Sequence, residues 1–488
     1  MRSVPPRRLL RLGAIVAATA VSAACTTVGP DYRLPEGAVV SQPAAVAPFE
    51  GAQASRTSTD APSAHPYSQA PLPAHWWRLY QDPLLDQLVG QALARNADLR
   101  QAAANLQRVQ ALEEEVDGAS QPVIGVNGGP SYGHASGLSQ LQPGRQPRSD
   151  THYGTGLSVS YQVDLLGQLR RASEAAHAGT QAASAALDLA RVSVAAGTAR
   201  AFADVCSLGL RLQSARRSAE LQQEAVAMTQ RLEQAGRASS IDVARAQSQA
   251  QTLLAALPPL HAQREGAVYR LAVLTGTAPQ AFPREVTACV APPQVTGLLP
   301  VGDGARMLRR RPDVRQAERE LAASTARIGV AVADRYPKIT LGLAASSAGL
   351  LSGFGRGDTV AWSLGPLISW TLPNTGIADA RVSQAEASTR MAAAKFDGTV
   401  LTALRETETA LSAYAHELDR HAALQASRDE ASGVAEQARQ LYQGGKVGYL
   451  DALDAERSLA SSEAALAASD AELVGDQVSL FLALGGGW

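Results

Sequence analysis

The decapeptide Gly445-Lys446-Val447-Gly448-Tyr449-Leu450-Asp451-Ala452-Leu453-Asp454 has an earlier counterpart, Gly236-Arg237-Ala238-Ser239-Ser240-Ile241-Asp242-Val243-Ala244-Arg245, 209 positions upstream. Each stretch interrupts a long Ala/Leu/Gln/Glu/Arg-rich run with a glycine and restarts it behind small residues and an aspartate. Glycine ends a helix by entering left-handed backbone space, and an aspartate in the first turn favours the next helix. Each stretch therefore predicts the tip of a helical hairpin. The spacing persists outward. Gly156 and Gly365, Tyr161 and Trp370, Gly167 and Gly376, and Gly276 and Gly485 are also 209 apart. Upstream, Asp98 matches Asp313 and Pro122 matches Pro337 at 215. The pattern predicts one unit written twice, with six extra residues between Pro122 and Gly156 in the first copy.

A chain of 488 residues would ordinarily fold as several domains, but a tandem repeat predicts one elongated body. Aromatic content is 5%, low for a large core, and alanine and leucine dominate, as where helices pack along narrow seams. Formal net charge is −1; without residues 1–24, which carry four arginines and no acid, 40 basic face 45 acidic residues. That balance predicts no nucleic-acid partner.

Residues 1–24 read as a secretory signal: Arg2, Arg7, Arg8 and Arg11, then an uncharged, mostly apolar run from Leu12 to Ala24. The run is too short to span a bilayer, and no later uncharged apolar stretch approaches the roughly 20 residues that a spanning helix needs. Cys25 follows Ser22-Ala23-Ala24 directly and is read as a lipidated mature N-terminus. Cys206 and Cys289 remain, and two cysteines alone do not establish a disulfide.

The expected organisation is a signal peptide at 1–24 and a lipid-anchored, extended segment at 25–75. A first repeat at 76–276, a proline-rich linker at 277–304 and a second repeat at 305–488 follow. Asp82-Pro83 predicts a helix start, and helical pattern continues to about Gly118. After Pro122 the period changes to two. Ile124 and Val126 mark one strand; Leu157, Val159, Tyr161 and Val163, alternating with Ser158, Ser160 and Gln162, mark another. The second copy has Ile339, Leu341 and Leu343, then Val360, Trp362 and Leu364, an expected interruption at Gly365-Pro366, then Ile368, Trp370 and Leu372. Strands with one apolar and one polar face suit a barrel with lipid outside and water inside. Four strands cannot close one, so several chains would have to contribute. From Gly167 to Gly236 is 69 residues, which as one helix would reach roughly 100 Å. The return helix from the first tip is expected to break at Leu257-Pro258-Pro259, where the second copy has Leu466-Ala467.

Little here looks catalytic. Gly129-Pro130-Ser131-Tyr132-Gly133 matches a nucleophile-elbow pattern but lacks an immediately following helix. The eight histidines form no zinc-binding pattern, and there is no phosphate-binding Gly-Lys-Ser/Thr loop, so no cofactor or metal is expected. Arg309-Arg310-Arg311 reads as a solvated approach to a helix. Asp451 and Asp454 share one helix face just past the second tip, whereas the first copy has Asp242 and Arg245 there. A purely structural repeat has no evident need for that charge reversal.

These residues together resemble the outer-membrane efflux factor family, TolC-like channels, in particular the lipoprotein branch serving tripartite drug efflux pumps. The resemblance rests on Cys25 with Val28-Gly29-Pro30-Asp31-Tyr32, Trp76-Trp77, and Tyr161-Gln162-Val163-Asp164-Leu165-Leu166-Gly167. It continues through Arg310-Arg311-Pro312-Asp313-Val314-Arg315, Tyr336-Pro337, Gly365-Pro366 and the closing Ala483-Leu484-Gly485-Gly486-Gly487-Trp488. It implies a mixed α/β membrane protein: a homotrimer with a twelve-stranded outer-membrane β-barrel, four strands per chain, continued by a periplasmic α-helical coiled-coil barrel. It implies tips that meet a periplasmic adaptor, itself coupled to an inner-membrane transporter, at Gly236, Arg237, Ser239, Gly445, Lys446, Val447 and Gly448. It further implies a periplasmic gate at Leu450, Asp451 and Asp454. The expected function is a passive exit duct for small toxic molecules or drugs; the alternative is the exit channel of a type I protein secretion system.

Overall fold

The computed structural model describes residues 27–54, 66–134, 136–138, 143–295, 297–370 and 375–486. The signal segment, Cys25 and Trp488 lie outside these residues. The principal elements are α1 (Pro83–Arg95), α2 (Ala97–Gly118), β1 (Val123–Gly133), β2 (Asp150–Val163), α3 (Gln168–Gln234), α4 (Ser240–Ala255) and α5 (Leu257–Leu274). The order continues with α6 (Gly304–Arg310), α7 (Pro312–Ala333), β3 (Lys338–Leu350), β4 (Val360–Ser369), α8 (Thr375–Gln443) and α9 (Tyr449–Ala483). Among the described residues no helix is long and apolar enough to cross a membrane.

Contacts divide the chain into two compact units. The first takes the described part of Met1–Pro35 with Leu106–Ala183 and Ala317–Phe396. It holds an antiparallel sheet in the order β1-β2-β3-β4, whose outer strands, among the described residues, each pair on one side only. Register sorts the side chains by face. Ile124, Val159, Leu343 and Leu364 form one row across the sheet; Gly125, Ser158, Ala344 and Ser363 form the next, on the opposite face. Val126, Leu157, Tyr161, Leu341, Trp362 and Ile368 extend the apolar face, with Trp362 74% exposed. Asn127, Ser160, Thr340 and Ser346 extend the polar one, where Val123, Leu350 and Leu367 are the larger apolar members. Burying one such Leu or Ile is worth about 1.5–3 kcal/mol, so leaving the whole row in water is strongly unfavourable. Gly365 and Pro366 do not interrupt β4, contrary to expectation; they pair with Gly342 and Leu341. An outer strand tolerates a residue without an N–H. Gly129–Gly133 lies inside β1, without the strand-to-helix turn of a nucleophile elbow.

In the same unit Thr27 to Tyr32 form a strap. Val28 N donates to Leu166 O at 3.0 Å, and the buried Arg171 donates to Val28 O, Gly29 O and the Asp31 carboxylate at 3.1, 3.2 and 2.6 Å. Gly29 sits flush on α7: a Cβ built there would meet Gly329 Cα at 2.4 Å.

The second unit takes Glu36–Asn105, Ser184–Gln316 and Asp397–Trp488. Its aromatic core packs Trp76, Trp77 and Tyr80 against Phe481, with Trp76 and Phe481 ring centroids 4.9 Å apart. Asp82 caps α1 as expected, accepting from Leu84 N and Leu85 N. The helical run to Gly118 is broken at Asn96, which caps α2 through Asp98 N and Leu99 N. Where composition predicted only an extended segment, residues 39–54 hold three short helical turns. Those turns are fixed by bonds from Val39 N to Asp397 and from Glu50 N and Gly51 N to Glu408.

Two of the three arginines of the run depart from their expected solvated role, while Arg309 is exposed. Arg311 is 7% exposed and donates to Ala483 O, Asp313 and Glu406, while Arg310 donates to Gly486 O, Leu72 O and Pro73 O. Arg311 thus satisfies the last carbonyl of α9, which the helix itself leaves unpaired, and Arg310 one just past the helix end. Cys206 and Cys289 form a disulfide.

Candidate functional site: the two helical hairpin tips

Both tips lie in the second unit and turn in the same way. After α3, Gly236 N donates to Glu233 O and Arg237 N to Leu232 O; after α8, Gly445 N donates to Tyr442 O and Lys446 N to Leu441 O. This paired bonding consumes the last helical carbonyls and demands left-handed backbone at the glycine, whose φ is +71° at Gly236 and +70° at Gly445. The restarts differ. Ser239 and Asp242 form a full capping box: Asp242 N donates to Ser239 Oγ at 3.3 Å, and Asp242 Oδ2 accepts from Ser239 N at 3.1 Å. At the second tip Gly448 has no side chain, so only the reverse bond exists, from Gly448 N to Asp451 Oδ2 at 3.1 Å.

Charge diverges in the same place. Asp242 is held below the usual carboxylate range, first by the Ser239 hydroxyl, then by the Ser239 backbone, with Arg245 3.7 Å away adding attraction. Asp454, where the first copy has Arg245, is 76% exposed, and its nearest cation is Arg457 at 3.9 Å. Asp451 is also exposed, and Leu450 is 48% exposed, whereas Leu453 is buried. One side of the start of α9 thus faces outward with Leu450, Asp451 and Asp454, while Leu453 packs inward.

The inward side joins the two hairpins. Tyr449, Leu453 and Ala246 form a buried cluster with Val226 and Tyr442 against it. Gln222 Nε2 donates to Ala246 O at 3.2 Å and to the Tyr449 hydroxyl at 3.3 Å, and Tyr442 and Tyr449 rings lie 5.5 Å apart. Arg457 Nε donates to Gln249 Oε1 at 2.9 Å. Glu456 has its pKa raised by burial, partly offset by Arg439 at 3.6 Å. Sequence reasoning missed this set. Its visible signal was the pair of tyrosines flanking the second tip in a chain with few aromatics. Arg237 reaches the second tip: a Cβ built on Gly445 would lie 2.8 Å from its Nη2. Ser239, Lys446, Val447 and Gly448 form the turns but make no further bond between hairpins among the described residues. No cluster of three or more metal-ligating side chains occurs among the described residues either.

A mainly helical chain with two hairpin tips and a two-faced sheet open at both edges is the architecture of an outer-membrane channel subunit. The sequence model described as "Outer membrane efflux protein" matches it twice, over residues 88–277 and 305–486, and the chain belongs to that family. It is 30% identical over 417 residues to Nodulation protein T of Rhizobium leguminosarum bv. viciae, covering 85% of this chain and 84% of that one. It is 31% identical over 420 residues to the solvent efflux pump outer membrane protein SrpC of Pseudomonas putida, covering 84% and 86%. Among solved structures, the outer-membrane channel OprN superposes with a TM-score of 0.86 at 34% identity, covering 94% of this chain and 99% of that one. The protein is an efflux protein of the outer membrane.

Proposed function

We propose that three copies of this chain close a twelve-stranded barrel in the outer membrane, continued by a periplasmic tunnel of helices built from two copies of one repeat in each chain. The duct passes small toxic molecules, of the solvent-like or drug-like kind, delivered by an inner-membrane transporter. The observation that carries this reading is the sheet: four strands, apolar on one face, polar on the other, with both outer edges unpaired. Unpaired edges are untenable in lipid, and four strands cannot curl into a closed cylinder, so other copies must complete the ladder. The solvent efflux relative supports the substrate class over the alternative of protein secretion. The tips, at Gly236, Arg237, Ser239 and Gly445 to Gly448, dock a periplasmic adaptor, and Leu450, Asp451 and Asp454 ring the narrow end as the gate. Cys25 carries a lipid anchor, for which mass analysis of the mature N-terminus should show acyl chains on that residue.

Detergent-solubilised protein analysed by native mass spectrometry should be trimeric, and a monomer that keeps its β-sheet signal in lipid would refute the closed barrel. In planar bilayers the trimer should conduct, with Leu450→Ala raising basal conductance severalfold by loosening the apolar ring.

A further inference from the structure

The proline-rich linker between the two halves is fastened to α3. Cys206 of α3 and Cys289 of the linker are joined across 83 residues of sequence. Around that bond Arg264 of α5 reaches over. Its Nε donates to Val205 O at 3.2 Å, and its Nη2 to the Thr287 and Cys289 carbonyls at 2.6 and 2.7 Å. The Cys289 carbonyl presses on α3 at Gly209, where a Cβ would lie 2.3 Å from that oxygen. A missing side chain, a guanidinium and a disulfide therefore converge on Thr287 to Cys289.

Beyond this point the linker continues to a second attachment. Leu299 N donates to Pro66 O at 2.7 Å and Val301 N to Ser68 O at 3.0 Å. Tyr67, between those partners, donates its hydroxyl to Leu411 O of α8 at 2.5 Å. The bonded path thus runs from α3, through the linker and residues 66–68, to α8. The two sulfurs differ in access: Cys206 is fully buried and Cys289 is half-buried.

We propose that Cys206 and Cys289 are an oxidative modification site whose disulfide closes a belt between α3 and α8, and whose co-substrate is a thiol-oxidising protein disulfide of the periplasm. The accessible Cys289 thiolate attacks the oxidant's disulfide, forming a mixed disulfide and releasing one oxidant sulfur as thiolate. Cys206, as thiolate, then attacks Cys289 Sγ and displaces the oxidant's second sulfur. Two thiols of this chain lose two electrons; the oxidant's disulfide gains them and, with the two protons released, becomes a dithiol. The order follows from access, because the first attack needs the more accessible of the two cysteines and the second only needs the partner cysteine nearby. The inference rests on the outer-membrane location, which puts the helices in an oxidising compartment, and not on the trimer or the gate.

Two measurements test it on the full chain. Purified wild-type protein, oxidised or gently reduced, is treated with trypsin, and cleavage after the exposed Arg284 is followed by mass spectrometry. Reduction should speed that cut by about tenfold or more, because the strap then opens locally. Cys206→Ser with Cys289→Ser should cut at the fast rate with or without reductant. Equal rates for oxidised and reduced wild type would overturn the belt, whether or not the double variant assembles. In cells, Cys206→Ser should accumulate a mixed disulfide with the oxidant through Cys289, while Cys289→Ser should not. Adducts on Cys206 instead, or none in either variant, would overturn the order of attack.

Discussion

The two tips share one turn and differ in capping and in the sign of one charge. Both turn through the same bonding at a left-handed glycine. Ser239, Asp242 and Arg245 then satisfy one another by capping and pairing, whereas Gly448 offers no cap and Asp454 stands exposed beside Asp451. Two copies of one turn can therefore share backbone chemistry and carry different duties. Both present an apolar residue outward, Ile241 and Leu450, but the first closes a full capping box while the second carries a further acid, Asp454, where the first has Arg245. The return paths diverge too, since α4 ends at Ala255 before the prolines while α9 runs unbroken for 35 residues.

The largest expected difference tests the turns. Gly236→Val should cost about 1–2 kcal/mol of local stability, the usual penalty for a side chain in left-handed space. Gly445→Val should cost more, because its Cβ would also displace Arg237, whereas at Gly236 nothing lies within 4 Å. Hydrogen exchange of the last turns of α3 and α8 would measure both, and equal protection loss would show that Arg237 does not matter to the second tip.

Capping comes next. Ser239→Ala should cost about 1 kcal/mol and Gly448→Ser should gain a few tenths, narrowing the gap between the tips. If both substitutions leave exchange at the starts of α4 and α9 unchanged, the capping asymmetry is cosmetic.

Charge ranks third. Asp451→Ala with Asp454→Ala should lower cation preference in planar bilayers by about two- to threefold, by removing the negative ring proposed at the mouth. Arg245→Ala should change it less. Cation preference unaltered in the double variant would return both aspartates to the ordinary role of acids at a helix start.

The smallest effect is in pH. Asp242 has a depressed folded-state pKa, so its stabilising contribution is present above the ordinary carboxylate range near about 4 and is lost as pH falls through the lowered value. Acid should therefore loosen the start of α4 selectively, and Arg245→Ala should move that loosening to slightly higher pH. Equal loss of protection at the starts of α4 and α9 on acidification would contradict it.

Much of this was legible because it is local. Turn glycines, the Asp82 cap, the proline break and the alternation of Leu157, Ser158, Val159 and Ser160 act over a few residues, and chain chemistry there leaves few options. Gly365-Pro366 was misjudged because a strand's tolerance for proline depends on whether it lies at a sheet edge, which is a property of its neighbours.

The sequence by itself determined the helices, the hairpin tips, the two-faced strands and the family, since each is written in periodicity or in ordered short motifs. Only the tertiary structure decided that Arg311 is buried and Arg310 bonded at the end of α9, that Cys206 pairs with Cys289, and that Gln222, Tyr442 and Tyr449 join the hairpins. Those partners lie far apart along the chain, and whether a charge is solvated or a thiol has a neighbour depends on what the folded backbone brings within a few ångströms, which no local pattern encodes.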